Sequence, residues 1–426
     1  MKKVSIIGLG YVGLPLACLA AKKGHAVFGI DLSKEIVEKT NKGESHILDE
    51  GLKKSVFEAK GKIHATTNAS EVLKDSEVIV VCVPTPVDKK CLPDLGPVKA
   101  ACEDIAKSLK KGQVVIVEST IYPGTIQEVV HPILEKSGLK AGKDFYLAHC
   151  PERIDPGNKK WAVEKIPRVV GGINEKSTQL AAEFYESILD AKVKRLNSVK
   201  AAEAVKIMEN TFRDINIAFV NEMARSFDVL GIDIKEVIEG ASSKPFGFMP
   251  FYPGPGVGGH CIAVDPYYLI ERARQSGFDH KFLRLAREIN ESMPSYVIQL
   301  ASEGLNHSGK SLNGSKVCVL GIAYKPNVDD SRESPSFPII ELLQERKAVL
   351  KIFDPLAVEL NNSKSIEDAV KDSDCVIIAT NHEEFLEKIT PEFLKKNKVP
   401  FILDCRNSFK KQDFEKAGIL YKGVGS

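Results

Sequence analysis

The run KVSIIGLGYVGLPLACLAAKKGHAVFGID, residues 3–31, constrains the fold more than any other stretch. A short β-branched segment ends in three closely spaced glycines. A helical pattern follows and stops at Gly24, and a second apolar segment ends on Asp31. Strand, helix and strand in this order are the repeating unit of a parallel sheet covered by helices. EVIVVCVPTP and QVVIVESTIYPGT continue the pattern, each a β-branched run ending in polar, proline or glycine residues.

The C-terminal part replays the order with SKVCVLGIAYKP, the helical FPIIELLQERKA, then VLKIFDP, DCVIIATNH and FILDCRN. Even a connecting phrase recurs, EVLKDSEVIVV early and EDAVKDSDCVII late. The fold class predicted is α/β, with two Rossmann-like doubly wound parallel-sheet domains. Between them, VKAAEAVKIMENTFRDINIAFVNEMARSFDVLG has no proline and closes on Gly231, which predicts a helix of about 30 residues and about 45 Å. Val205, Ile207, Met208, Phe212, Ile215 and Phe219 spread apolar surface around it, so burial against a domain or a second subunit is expected. The expected segments are 1–197, a dinucleotide-binding domain; 198–305, a central helical region; and 306–426, a second α/β domain.

A length of 426 residues suits more than one core, and 43% hydrophobic with 27% charged residues suits a globular chain. The formal net charge of +2 gives no whole-protein field for nucleic acid or an anionic membrane, so neither is an expected partner. MKKVSIIGLGYVGLPLACLAA has the basic start and apolar stretch of a secretory signal, but glycines interrupt it and HAVFGID follows directly. No run reaches the roughly 20 apolar residues of a membrane span. Nine cysteines without a CxxC pair argue against a disulfide framework or structural zinc, so no metal and a reducing, cytoplasmic location are expected.

GLGYVG places Gly8, Gly10 and Gly13 where a pyrophosphate can approach the backbone and a helix N-terminus. Asp31, eighteen residues beyond Gly13, can accept hydrogen bonds from an adenosine ribose. A carboxylate there favours NAD over a 2′-phosphorylated cofactor, while Lys34 leaves NADP open. The loops at Pro84 and Thr120 fall at the same sheet edge and complete the cofactor cleft.

Lys206 and Asn210 are four apart and share a helix face, where they can hold a developing alkoxide or belong to a solvated stripe with Glu203 and Arg213. In PGPGVGGHCIAVDP, residues 253–266, four glycines present Cys261, with Asp265 in the same segment. A thiolate here is a nucleophile for a carbonyl carbon, which a simple alcohol dehydrogenase does not need; a buried structural cysteine is the other reading.

Taken in order, GLGYVGLP with Asp31, VPTP, STIYPGT, PER with Glu152, KIMEN, GGHCIAVDP and AYKPNVDDSRESPS closely resemble the UDP-glucose/GDP-mannose dehydrogenase family over essentially the whole chain. The resemblance implies NAD-dependent oxidation of a nucleotide sugar's C6 alcohol to a carboxylate. Cys261 would carry a thiohemiacetal and then a thioester. Lys206 and Asn210 would stabilise the oxyanion, Asp265 would act on the catalytic water with Thr120 nearby, and Glu152 would assist thioester hydrolysis. The cofactor set expected is Gly8, Gly10, Tyr11, Val12, Gly13, Asp31, Pro84, Thr85, Thr120 and Arg332. For the UDP-sugar it is Glu152, Arg153, Lys206, Asn210, Arg213, Phe251, Tyr252, Gly258 and Lys325. A homodimer through the central helix is also implied. AHCPERIDPGN and IPRVVGG resemble the branch acting on UDP-N-acetylhexosamines, with UDP-N-acetylmannosamine expected first and UDP-N-acetylglucosamine close behind. A two-electron hydroxyacid dehydrogenase is the alternative enzyme, although it leaves Cys261 and the second α/β domain without a purpose. A noncatalytic nucleotide sensor is the non-enzymatic alternative.

Overall fold

In the computed structural model, which describes the chain except for residues 48, 87–92, 155–160 and 260–261, the chain forms two compact units. One comprises Met1–Glu209 with Tyr267–Phe278, the other Asn210–Pro266 with Asp279–Ser426.

The first unit holds β1 (Lys3–Ile7), β2 (Ala26–Ile30), β3 (Ile63–Thr66), β4 (Val78–Val81), β5 (Val114–Val117), β6 (Tyr146–His149), β7 (Arg168–Gly172) and β8 (Val193–Arg195). They form one sheet in the order β3-β2-β1-β4-β5-β6-β7-β8. All neighbours pair parallel except β6 and β7, which run antiparallel. Successive side chains of a strand point to opposite faces. Val78 and Val80 accordingly join one apolar cluster while Ile79 and Val81 join another. That is why β4 and β5 read as unbroken apolar runs: both faces are covered.

The second unit repeats the plan with β9 (Lys316–Leu320), β10 (Val349–Phe353), β11 (Cys375–Ile378), β12 (Phe401–Asp404) and β13 (Leu420–Gly423) in the order β10-β9-β11-β12-β13, all parallel. Cys375 and Ile377 face one cluster, Val376 and Ile378 the other.

The predicted long helix runs from Val199 to Leu230, 32 residues, and ends where Gly231 turns to positive φ. Ala202, Ile207, Ala218 and Ala224 are buried. Met208, Phe212 and Phe219 are not: they are 69%, 47% and 57% exposed in the single chain. Among the described residues no helix is long and apolar enough to cross a membrane. Cys18, Cys82, Cys102, Cys150, Cys318, Cys375 and Cys405 are all unpaired and buried.

Candidate active site

In the first unit, β1 ends at Ile7 and the chain turns at Gly8, whose φ is 91°. A Cβ at Gly8 would come within 2.7 Å of the Cys82 carbonyl oxygen, so a side chain is excluded by both conformation and space. A Cβ at Gly10 would meet nothing within 4 Å, which leaves that face of the turn open to a ligand. The helix Gly13–Lys22 follows with Tyr11 and Val12 in the turn, and neither an acidic residue in its first turn nor a side-chain cap occupies its N-terminal N–H groups. Asp31 is half-buried after β2, its Oδ2 accepting the Leu9 N–H at 2.9 Å and its Oδ1 the Ser33 N–H at 2.9 Å. Each oxygen retains a lone pair for a ribose hydroxyl. An open backbone turn, an uncapped helix start and an anchored carboxylate fit a dinucleotide.

The two loops expected beside it are linked. Ser119 Oγ, just before Thr120, donates to the Val83 carbonyl at 2.7 Å, one residue before Pro84. The Thr85 carbonyl accepts from the Tyr268 hydroxyl. Glu203 fixes the remainder of the STIYPGT loop: its carboxylate accepts the Gly124 and Ile126 N–H groups, each at 2.7 Å. Glu203 is fully buried and burial pushes its carboxyl up to about 7. The solvated stripe is therefore overturned for this residue, and for Lys206 and Asn210, each only 7% exposed. Arg213 is exposed.

Lys206 Nζ lies 3.5 Å from Glu152 Oε2, and both side chains are buried. Burial raises the Glu152 carboxyl above its ordinary range against the pull of Lys206. Its other oxygen accepts the Ile154 N–H. Arg153 is tied down on both sides, to Glu209 and to the Pro167 carbonyl.

In the second unit, Asn210 Nδ2 donates to Asp265 Oδ2 at 2.5 Å, and Asp265 is 2% exposed. Cys261 lies outside the described residues. The segment leading to it is glycine-rich for a reason visible at Gly258: a Cβ there would meet the Glu333 carbonyl at 2.7 Å and the Pro335 and Tyr324 side chains at 2.9 Å. The Gly259 N–H donates to the Arg332 carbonyl at 3.1 Å. This close approach is to the chain's own loop between Tyr324 and Pro335. Arg332 holds Asp330 through Nε and Nη2, at 2.9 and 2.6 Å. Lys325 is half-buried, Phe251 packs on the core and against Phe212, and Tyr252 is exposed.

Two groups were missed by sequence reasoning. Arg406, half-buried just beyond β12, donates from Nε to the Ala379 carbonyl at 2.9 Å, at the carboxyl edge of the second sheet. Asp354, just after β10, is fully buried with both oxygens engaged. Its place at the end of a second strand, as in HAVFGID, was the available signal.

Comparison with known proteins agrees with this geometry. Residues 2–189 match the NAD binding domain of the UDP-glucose/GDP-mannose dehydrogenase family, residues 200–292 its central domain and residues 318–411 its UDP binding domain. A UDP-N-acetyl-D-mannosamine dehydrogenase of Methanococcus maripaludis is 37% identical, covering 100% of this chain and 97% of that protein. A UDP-N-acetyl-D-glucosamine 6-dehydrogenase of Pseudomonas aeruginosa is 36% identical, over 94% and 95%. The solved UDP-D-ManNAc dehydrogenase from Pyrococcus horikoshii superposes with a TM-score of 0.92 at 36% identity, covering 99% of each chain. With a dinucleotide turn in one unit, a second parallel-sheet unit and all three domains matched in order, the chain belongs to the UDP-glucose/GDP-mannose dehydrogenase family, as an NAD-dependent nucleotide-sugar dehydrogenase.

Proposed function

We propose that the enzyme oxidises the C6 alcohol of a UDP-N-acetylhexosamine to the uronic acid, taking UDP-N-acetylmannosamine ahead of UDP-N-acetylglucosamine. The names of similar proteins and the phrases around PER and IPRVVGG support this sugar class. NAD supplies the hydride acceptor for each of the two oxidations. The thiolate of Cys261 adds to the C6 aldehyde, forming a C–S bond. The second oxidation turns this thiohemiacetal into a thioester, and water releases the acid and restores the thiol.

The observation carrying the reading is the pair of buried polar contacts one helical turn apart, Lys206 with Glu152 and Asn210 with Asp265. Lys206 and Asn210 share one helix face, where a cation and an amide donor suit a developing oxyanion. Asp265 is oriented by Asn210 to take a proton from the hydrolytic water, and the resemblance to the family assigns Thr120 to the same step. Glu152, held beside Lys206, assists thioester hydrolysis. In this reading segment 1–197 holds the cofactor and 198–305 carries the chemistry. Segment 306–426 holds the nucleotide, with Lys325 and Arg406 at one sheet edge for the diphosphate. Arg332 is a candidate cofactor contact, and the exposed stripe of Met208, Phe212 and Phe219 supports pairing of two copies through the long helix.

NADH absorbance with a panel of UDP-sugars tests the reading. Two NADH per uronic acid are expected with the N-acetylhexosamines, and Cys261→Ser should bind NAD and UDP-sugar yet fail to complete the oxidation. One NADH per product returns the two-electron dehydrogenase, and no NADH with any sugar returns the nucleotide sensor.

A further inference from the structure

We propose that His382 is a positioning residue for Lys325, fixing the short backbone arch that presents this lysine to the nucleotide. This rests on the reading that Lys325 contacts the UDP moiety. His382 follows β11 and is 1% exposed, its ring packed edge-on against Phe385 with centroids 5.3 Å apart. Both ring nitrogens are engaged. Nδ1 accepts the Asn327 N–H at 3.0 Å, which leaves the ring proton on Nε2, facing Asp354 Oδ2 at 3.1 Å. The same Asp354 oxygen accepts the N–H groups of Ile322, at 2.6 Å, and Ala323, at 2.9 Å. Thr380 Oγ1 donates to the Ala323 carbonyl at 2.6 Å.

The chain is thus pinned at Ala323 on one side and at Asn327 on the other. Tyr324, Lys325 and Pro326 form the arch between. Asn327 has a φ of 60°, a conformation asparagine tolerates better than most residues, and its Oδ1 accepts the Glu383 N–H at 3.0 Å. Pro326 restricts Lys325 to extended conformations. His382 is the group that joins the two pins, because it bonds Asn327 with one nitrogen and the carboxylate holding Ile322 and Ala323 with the other. With both nitrogens committed and the ring enclosed, it has no part in proton transfer to substrate.

The test is calorimetric titration of UDP into the full chain carrying Lys325→Ala, His382→Leu, His382→Asn or the double change Lys325→Ala/His382→Leu, with NAD affinity and thermal melting measured alongside. His382→Leu is expected to weaken UDP about tenfold while NAD affinity stays unchanged, and Lys325→Ala to weaken it by a similar factor. The double variant should be no weaker than the weaker single variant, since both remove one interaction. His382→Asn keeps an acceptor near the Nδ1 position and should bind UDP within about threefold of the unmodified enzyme even where its melting temperature falls. If His382→Leu does not fold, His382→Gln, which reaches toward Asp354 but leaves the Asn327 N–H without its acceptor, takes its place with the same expected loss. Normal UDP affinity in folded His382→Leu or His382→Gln, with Lys325→Ala impaired, overturns the positioning role alone. So does UDP affinity that follows melting temperature across the His382 variants. Normal affinity in Lys325→Ala overturns the nucleotide role of Lys325 and the positioning role together.

Discussion

The first turn of each sheet is built on one plan and put to two uses. Gly8 and Gly321 both follow the first strand, with φ of 91° and 94°, and a Cβ at either would strike the backbone beyond the neighbouring strand, at Cys82 or at Thr380. Asp31 and Asp354 both follow the second strand. Each accepts the N–H of the residue after that glycine, Leu9 or Ile322, and also the N–H two positions beyond itself, Ser33 or Leu356. The difference lies in what comes next. In the first unit a helix starts five residues after Gly8, at Gly13, and Asp31 stays half-buried, open to a ribose. In the second unit the next helix starts only at Ser336, and Asp354 is sealed in by Ala323, Ala357 and His382. One carboxylate position serves a ligand where the helix is near, and braces a long loop where it is not.

The largest effect that can break this comparison is on stability. Asp354→Ala would leave three buried backbone N–H groups, the part-buried Leu356 N–H and His382 without their acceptor, and should lower unfolding free energy in urea by about 4 kcal/mol or more. Asp31→Ala, where water can replace the carboxylate, should cost much less stability. Equal losses would mean that burial does not distinguish the two acids.

A pH titration of stability sharpens the same point with opposite signs. Asp354 is held below the usual carboxylate range: burial opposes this, but the His382 hydrogen bond and backbone N–H groups prevail. Its contribution is therefore complete above the ordinary aspartate value and is lost as pH falls below it. Glu203 is raised to about 7, mainly by burial. Its favourable contribution is complete below about 4.5 and is lost as pH rises through 7, by up to about 3 kcal/mol. Glu203→Gln should remove the decline between these values in a urea-unfolding series, and an unaltered pH profile would assign that decline elsewhere.

The ligand side of the comparison is smaller. Asp31→Ala should weaken NAD by about 1.5–3 kcal/mol, through loss of charge-assisted hydrogen bonds, and narrow its preference over NADP. Titration of both cofactors checks this, and unchanged NAD affinity removes Asp31 from the site.

Sequence reasoning reached what is local. The apolar runs of β4, β5 and β11 were legible because burial on both faces leaves no polar residue to interrupt them, and those of β1, β2, β9, β10 and β12 because their β-branched and other apolar residues still outnumber interruptions such as Ser5 and Lys351. β3 with IHAT, β6 with YLAH and β8 with VKR carry no such run, and the antiparallel β6–β7 pair needs partners that no single segment reveals. The glycines and Asp31 were legible for the same local reason. Glu203 was not, since its partner Gly124 is 79 residues away, and His382 acquires its meaning only from Asn327, 55 residues earlier.

The repeated phrase KDSE and KDSD offers the finest contrast. Glu77 and Asp374 each accept the N–H that opens the first strand, Lys3 or Lys316, at 2.9 and 2.8 Å. Ser76 Oγ and Ser373 Oγ each donate to the carbonyl four residues back, Val72 or Ala369. Ser76 has one more partner, the Ser5 hydroxyl at 2.6 Å, with both groups buried. The equivalent strand position in the second unit is Cys318, because KVSII is there KVCVL. Ser76→Ala would strand the Ser5 hydroxyl among buried atoms and should cost about 1–2 kcal/mol, whereas Ser373→Ala removes only a bond back to its own helix and should cost about 0.5 kcal/mol. Adding Ser5→Cys to Ser76→Ala gives the first unit the Cys318 arrangement and should recover part of the loss, since a thiol needs no partner. Equal urea midpoints for Ser76→Ala and Ser373→Ala, or no recovery on adding Ser5→Cys, would show that the hydroxyl pair has no separate role and that the two copies of the phrase act alike.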